Sequence, residues 1–304
     1  MDPLKRAFYD ERFQNRFLEC KGEAFQDFFS SLMEARYPGD FSRVRPWGAK
    51  GDEGNDGYHR SKRRSFQCYA PRGMKLKVLL EKIEADFKKS LPGKAHFDEW
   101  CFVNNDPEGL PKKALDLLLE LSTQHSPVKA IDWGRRCLFE DYRGLSEDSL
   151  RGFLGEAPSR QDVIRIGLDD VRGLLDHIAL QPEALDADLR PVPPEKLRHN
   201  QLSPNVGILM KAGMSRADVV GKYFRGLPDQ ARYDRIAGRF RERYGELKAE
   251  GRTPDEIFAR LQSFVSGDES VSASIQAATL AVLAFFFEAC EIFERPPESE
   301  GGTG

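Results

Sequence analysis

With 304 residues the chain exceeds what one hydrophobic core usually organises, and it reads as two domains. A composition of 40% hydrophobic and 31% charged residues excludes a disordered or fibrous chain, and a formal charge of −3 excludes a basic surface over the whole length. Five cysteines without a C-x-x-C pair read as reduced thiols of a cytoplasmic protein, and five histidines without an H-x-H or H-E-x-x-H pattern speak against a structural zinc. Residues 1–22 are charged throughout and do not read as a secretory leader. The longest apolar run, Ala277 to Phe287, falls short of the roughly 20 residues that cross a bilayer, so the chain is expected to be soluble.

The first patterned element is a helix from Gly22 to Met33, stopped by Pro38-Gly39. Phe25, Phe28, Phe29, Leu32 and Met33 recur at helical spacing and define its buried stripe. At about 100° per residue Gln26 borders that stripe, whereas Glu23 and Asp27 lie nearly opposite it.

Next comes Gly51-Asp52-Glu53-Gly54-Asn55-Asp56-Gly57-Tyr58, then the basic turn His59-Arg60-Ser61-Lys62-Arg63-Arg64, then Ser65-Phe66-Gln67-Cys68-Tyr69-Ala70-Pro71. An acid at the start of one strand faces a polar residue on the next. Phosphodiester hydrolysis needs such a pair, a carboxylate and a second oxygen ligand that together hold a hard cation against the phosphoryl group. Asp and Gly clusters also make plain turns. A calcium loop numbered from Asp52 would put Arg63 where a bidentate Glu is required, which excludes that reading. Between Arg43 and Arg64 seven basic residues stand against three acids, and Arg45, Lys50, Arg60, Lys62, Arg63 and Arg64 are candidates for contacts to a phosphate backbone. Read alone, the same run is equally a solvated hairpin tip.

Beyond Gln67 the pattern predicts a helix over 75–90, a strand over 99–105, a helix over 111–123 and a strand over 128–133, which together imply a mixed sheet covered by helices. Asn104 and Asn105 at the strand end would cap the next turn or meet a phosphate. There is no G-x-x-x-x-G-K-[ST], so any ATP chemistry belongs to a partner. Polar stretches at 155–159 and 182–194 divide the chain into domains of residues 1–155 and 156–304, the second all-α with a disordered tail from about 297. There Ser215 to Asp218 and Thr253 to Glu256 are spaced as capping boxes, the latter with Pro254 at the first helical position. Ile236, Phe240, Tyr244 and Leu247 mark a helix over 232–248. A last helix over 272–293 is apolar nearly all round, and is expected to bury itself in its own domain or dock a partner.

The stretch from Gly51 to Ala70 resembles the Mrr-like branch of the PD-(D/E)XK nucleases, whose pattern runs G-D-x-G-x-D, a short hairpin and Q-x-K. The resemblance implies an α+β, restriction-endonuclease-like fold acting on double-stranded DNA with Mg²⁺ or Mn²⁺. It implies Asp56 as the metal aspartate, Gln67 as the second ligand and the main-chain carbonyl of Cys68 in the metal shell. It also implies an acid on the first helix, where Glu23 and Gln26 stand, and a lysine where Tyr69 stands. A phenol does not supply the point charge of a lysine. The catalytic candidates are therefore Asp56, Gln67, Tyr69, Gln26 and Glu23.

Three later motifs, Pro194 to Ser203, Val219 to Phe224 and Phe285 to Pro297, resemble the carboxy-terminal domain of effector subunits in bacterial ABC-three-component systems, the group that includes Lamassu-type antiphage defence. That resemblance implies an SMC/ABC-type ATPase and a small middle subunit as partners, an effector held silent until they sense foreign DNA, and self-association on activation. Two functions follow as expectations. One is a metal-dependent DNA endonuclease effector; the other is a catalytically degenerate nuclease fold that binds DNA or serves assembly in the same complex.

Overall fold

The computed structural model describes residues 1–44, 55–91, 97–179, 195–229, 231–267, 272–289 and 291–294. The chain divides into two compact units, Arg16–Phe153 and Met1–Asn15 together with Leu154–Gly304. Helix α1 (Pro3–Glu19) gives its first residues to the second unit, where the sequence had put all of residues 1–155 in the first domain.

In the first unit, α2 (Glu23–Arg36) buries the predicted stripe of Phe25, Phe28, Phe29, Leu32 and Met33. The strands β1 (Phe41–Arg43), β2 (Gly57–His59), β3 (Arg64–Cys68), β4 (Glu99–Val103) and β5 (Lys129–Trp133) lie side by side in that order. The pairs β1–β2 and β2–β3 are antiparallel; β3–β4 and β4–β5 are parallel. The parallel pairs need crossovers, and α3 (Leu76–Ser90) and α4 (Lys112–Gln124) supply them. Both pack on one face of the sheet, where Leu79, Ile83 and Phe87 meet Trp100, Phe102, Ala114, Leu118 and Leu121 in a single cluster. Alternation along β3 sends Phe66 to the opposite face, where its ring lies 5.2 Å from Phe29 and 5.4 Å from Trp133. The unit closes with α5 (Arg135–Arg143) and α6 (Glu147–Leu154). It is thus a five-stranded mixed sheet with helices, the mixed sheet the sequence implied, in a mixed α/β arrangement.

The second unit is helical: α7 (Arg160–Arg165), α8 (Leu168–Ala179), α9 (Glu195–His199), α10 (Pro204–Met214), α11 (Ala217–Arg225), α12 (Ala231–Ala249), α13 (Pro254–Ser266) and α14 (Ala273–Glu288). Thr253 and Glu256 form the expected capping box, with Pro254 at the first position of α13. Ser215 does not. Because α10 runs on to Met214, Ser215 closes that helix and turns its hydroxyl back to the Ala212 carbonyl, so α11 starts with no side-chain cap at Arg216. Helix α14 is the hub of the unit, with α7, α8, α10, α11 and α13 around it. Its residues from Gln276 to Ala284, with Phe286 and Phe287, are buried within the chain, so this apolar helix is chiefly core. The expected tail beyond 297 lies outside the described residues. Among these, no helix is long and apolar enough to cross a membrane, and Cys20, Cys68, Cys101 and Cys137 are all unbridged.

The α10–α14 crossing is set by Gly213, where an added Cβ would collide with the Leu280 backbone carbonyl and press on the Ala284 methyl. Backbone cannot yield as a side-chain end does. Gly213→Ala is expected to destabilise the protein by about 2 kcal/mol, a drop of roughly 4–8 °C in unfolding temperature by calorimetry. An unchanged transition would mean that the helices separate freely at this crossing.

Candidate active site

The β2–β3 hairpin is held at its tip by Asp40, whose carboxylate accepts hydrogen bonds from the Ser61 amide (2.9 Å), the Ser61 hydroxyl (2.6 Å) and His59 Nε2 (3.0 Å). The Ser61 bonds hold that carboxyl below its usual range. At the other end Asp56 precedes β2, and Gly57 sits against the Phe41 ring with no room for a side chain. The Asp56 amide donates to the Phe66 carbonyl at 2.7 Å, so Asp56 follows the hairpin register opposite Gln67.

Three donors converge on the buried Asp56 carboxylate. Gln26 Nε2 from α2 reaches Oδ1 at 2.7 Å; Gln67 Nε2 from β3 reaches Oδ2 at 2.9 Å; the Cys68 amide reaches Oδ2 at 2.7 Å. The other end of the Gln67 amide, Oε1, is buried with no hydrogen-bond partner. A buried amide oxygen left unpaired costs about 1–3 kcal/mol and calls for an explanation. In an extended strand the N–H and C=O of one residue face the same edge, so the Cys68 carbonyl faces the side on which Asp56 lies. Asp56, Gln67, Cys68 and Gln26 are thus brought together. Glu23 is exposed on the first turn of α2, while Asp27, on the outer face, pairs with Arg43.

Tyr69 stands two residues after Gln67 and so shares its face of the sheet. Its half-buried ring packs on Phe102, centroids 5.8 Å apart, and its amide donates to the Val103 carbonyl at 2.8 Å. A described cation beside this end of β3 is one the sequence pattern did not single out, Lys21. The Gly22 amide donates to the Ala70 carbonyl at 2.8 Å, which lays the loop before α2 against the strand, and Lys21 Nζ donates to Asn105 Oδ1 at 3.2 Å. Asn105 in turn ties down the Phe17 and Cys20 carbonyls, and Asn104 donates to Asp132 at 2.8 Å, so both asparagines fasten loops. Burial raises the Asp132 carboxyl above its usual range. The spacing of 21 and 105 along the chain carries no local signal; the register of β3 with β4 and the Gly22–Ala70 hydrogen bond bring them to this end of the strand.

The basic run occupies the hairpin tip, at the far end of the strands from Asp56. Four residues at about 3.3 Å each separate Asp56 from Arg60. Arg60 and Lys62 are exposed there. Arg63 pairs with Asp98 at 2.9 Å, and Arg64 pairs with Glu99 and lies over the Trp133 ring at 5.1 Å. Arg45 and Lys50 lie outside the described residues, as do Gly51 to Gly54.

The first unit therefore has a mixed sheet with an acid–amide pair at one end of its β2–β3 hairpin. Among the described residues no three His, Cys, Asp or Glu side chains converge to hold a metal, so any cation there would rest on one carboxylate, one amide and one main-chain carbonyl. Residues 169–294 match the family model CTD10, C-terminal domain 10 of the ABC-three component (ABC-3C) systems. That match, over less than half of the chain, supports membership in an ABC-three-component system and with it the presence of partner subunits. Comparison with curated proteins found no match. Comparison with solved structures found none.

Proposed function

We propose that the chain is the DNA-cutting effector of an ABC-three-component antiphage defence complex, of Mrr-like nuclease descent, dependent on Mg²⁺ or Mn²⁺ and governed by an SMC/ABC-type ATPase and a middle subunit. The observation that carries this reading is the unpartnered, buried Oε1 of Gln67 beside the Asp56 carboxylate. Turning the Gln67 amide over would bring its oxygen onto Asp56, an arrangement that a cation between the two oxygens would make favourable. Asp56, Gln67 and the Cys68 carbonyl are all hard oxygen donors, as Mg²⁺ and Mn²⁺ prefer. A cation held there would polarise the phosphoryl group and lower the pKa of a bound water. Gln26 fixes the Asp56 carboxylate from the α2 side, and the Cys68 amide fixes it from the strand. The match of residues 169–294 supports the system and its partners.

Tyr69 favours a second reading. Its ring packs on Phe102 where the nuclease pattern has a lysine, as in a fold retained for binding DNA or for assembly after cutting is lost. The readings separate on plasmid DNA with Mg²⁺ or Mn²⁺, with and without the partner subunits; a chain that never nicks under any of these conditions is the degenerate one. If it cuts, Lys21, beside the strand end that follows Gln67, is a described cation placed to supply positive charge near the reacting phosphate, Lys50 lying outside the described residues. Lys62 lies on the hairpin tip, beyond side-chain reach along the strands. Tyr69→Phe is then expected to keep most of the activity, within about threefold, while Lys21→Met loses at least about tenfold. A large loss in Tyr69→Phe alone would give the hydroxyl a direct part.

A further inference from the structure

The burial of α14 leaves the question of where the second unit meets a partner, and a groove on that unit answers it. Helices α7 and α10 and the first residues of α1 enclose a space of about 380 Å³. Leu4, Val163 and Ala212 line it, and Ile164 and Ile208 stand on it as lips with 63% and 38% of their surface exposed. Among the exposed large aliphatic side chains of the described residues, only Leu119 is more open than Ile164. Covering the exposed part of such a pair favours association. The charged residues of the lining are Arg160 and Lys211, both cations. Arg160 meets Asp2 only at 3.9 Å and keeps 75% of its side chain exposed, and Lys211 is exposed one turn after Ile208.

We propose that this groove receives an amphipathic helix of a partner subunit, apolar along one face and flanked by acidic residues that meet Arg160 and Lys211. An apolar floor between two helices takes side chains spaced i, i+3, i+4 and i+7, and the two cations fix the charge of the flanks. Nucleic acid does not suit the site, since phosphates gain nothing from two isoleucine lips and two cations make a weak backbone anchor. The α10 wall lies inside the segment that matches C-terminal domain 10, while α7 and α1 lie outside it, so partner choice combines a family wall with one particular to this chain. The inference rests on membership in a three-component system and is independent of whether the chain cuts DNA.

The test uses the full chain and the other two components of the system, purified, with affinity read by calorimetry. Ile164→Glu and Ile208→Glu are each expected to weaken assembly by at least about tenfold with unfolding temperatures within a few degrees of wild type. Lys211→Glu is expected to weaken it several-fold at low salt and less at high salt. A photo-crosslinking residue at position 164 is expected to capture an acid-flanked helix of one component. Unchanged affinity in the folded isoleucine variants overturns the proposal, as does a wild-type chain that binds neither component. Capture of a second copy of this chain, whose α4 exposes Leu115 and Leu119, overturns it as well. Normal assembly by a chain that never nicks DNA would sink the nuclease reading and leave the groove standing.

Discussion

Replacing Asp56 by Asn is expected to lower metal-dependent nicking of supercoiled plasmid by at least about 100-fold, since the change removes the one full negative charge of the proposed donor set. Asn is the informative variant because of what surrounds the site. Asp56 is buried, and its oxygens accept from Gln26, Gln67 and the Cys68 amide; Ala would leave all three donors without an acceptor, at about 1–3 kcal/mol for each buried group. Asn keeps the shape and one oxygen, which can still accept from Gln67 and the Cys68 amide, and the Gln26 amide can turn to meet its new N–H₂ group. The loss of stability should then be about 1–2 kcal/mol, readable as a fall of a few degrees in unfolding temperature. Nicking, unfolding and Mn²⁺ binding by calorimetry are compared in both proteins. A folded Asp56→Asn chain that binds Mn²⁺ and nicks as wild type does would remove Asp56 from the mechanism.

The hairpin, the acid and its amide partner were legible in the sequence because they are local: an acid, a tight turn and a polar residue eleven positions on can only meet across one pair of strands. Gln26 was legible for a similar reason, since helical spacing put it at the border of the buried stripe, and that border faces Asp56. Lys21 was not, because its place depends on Gly22 lying against Ala70 and on Asn105 following β4 in parallel register. The basic run was legible in its place in the chain, and only the hairpin's register puts its tip at the far end of the strands from Asp56, because charge counting along a sequence does not say which way a hairpin points. Helix α1 shows its pattern in Leu4, Phe8, Phe13 and Phe17, yet charged residues at every turn mask it. The last helix was legible as buried but not in what buries it: a helix apolar all round meets either its own fold or a partner, and the packing of five neighbours around it shows the first.

Lys196→Met is expected to destabilise the protein by about 3 kcal/mol, because this lysine is fully buried in the run of residues that resembles the effector subunits. Its ammonium donates to the Phe287 carbonyl at 2.7 Å and the Ile292 carbonyl at 2.8 Å, and lies 4.3 Å over the Phe287 ring. The last carbonyls of a helix have no partner within it and carry the negative end of its dipole, so a cation at the end of α14 satisfies both needs. Asn200, four residues on, binds the Glu294 amide at 2.7 Å and its carbonyl at 2.8 Å, so α9 and the residue that follows it clip the segment after α14 from two positions. Two opposed effects set the sign. Removing a buried charge recovers its desolvation cost, which can make such a change neutral when a whole ion pair is replaced by apolar groups. Here the partners are main-chain carbonyls that stay behind in the core, each losing a hydrogen bond to a charged donor worth about 1.5–3 kcal/mol. Loss therefore outweighs relief, and the unfolding temperature should fall by roughly 6–12 °C. Calorimetry on the full chain reads this directly. A Met variant that unfolds where wild type does would show that the end of α14 is held by its packing alone.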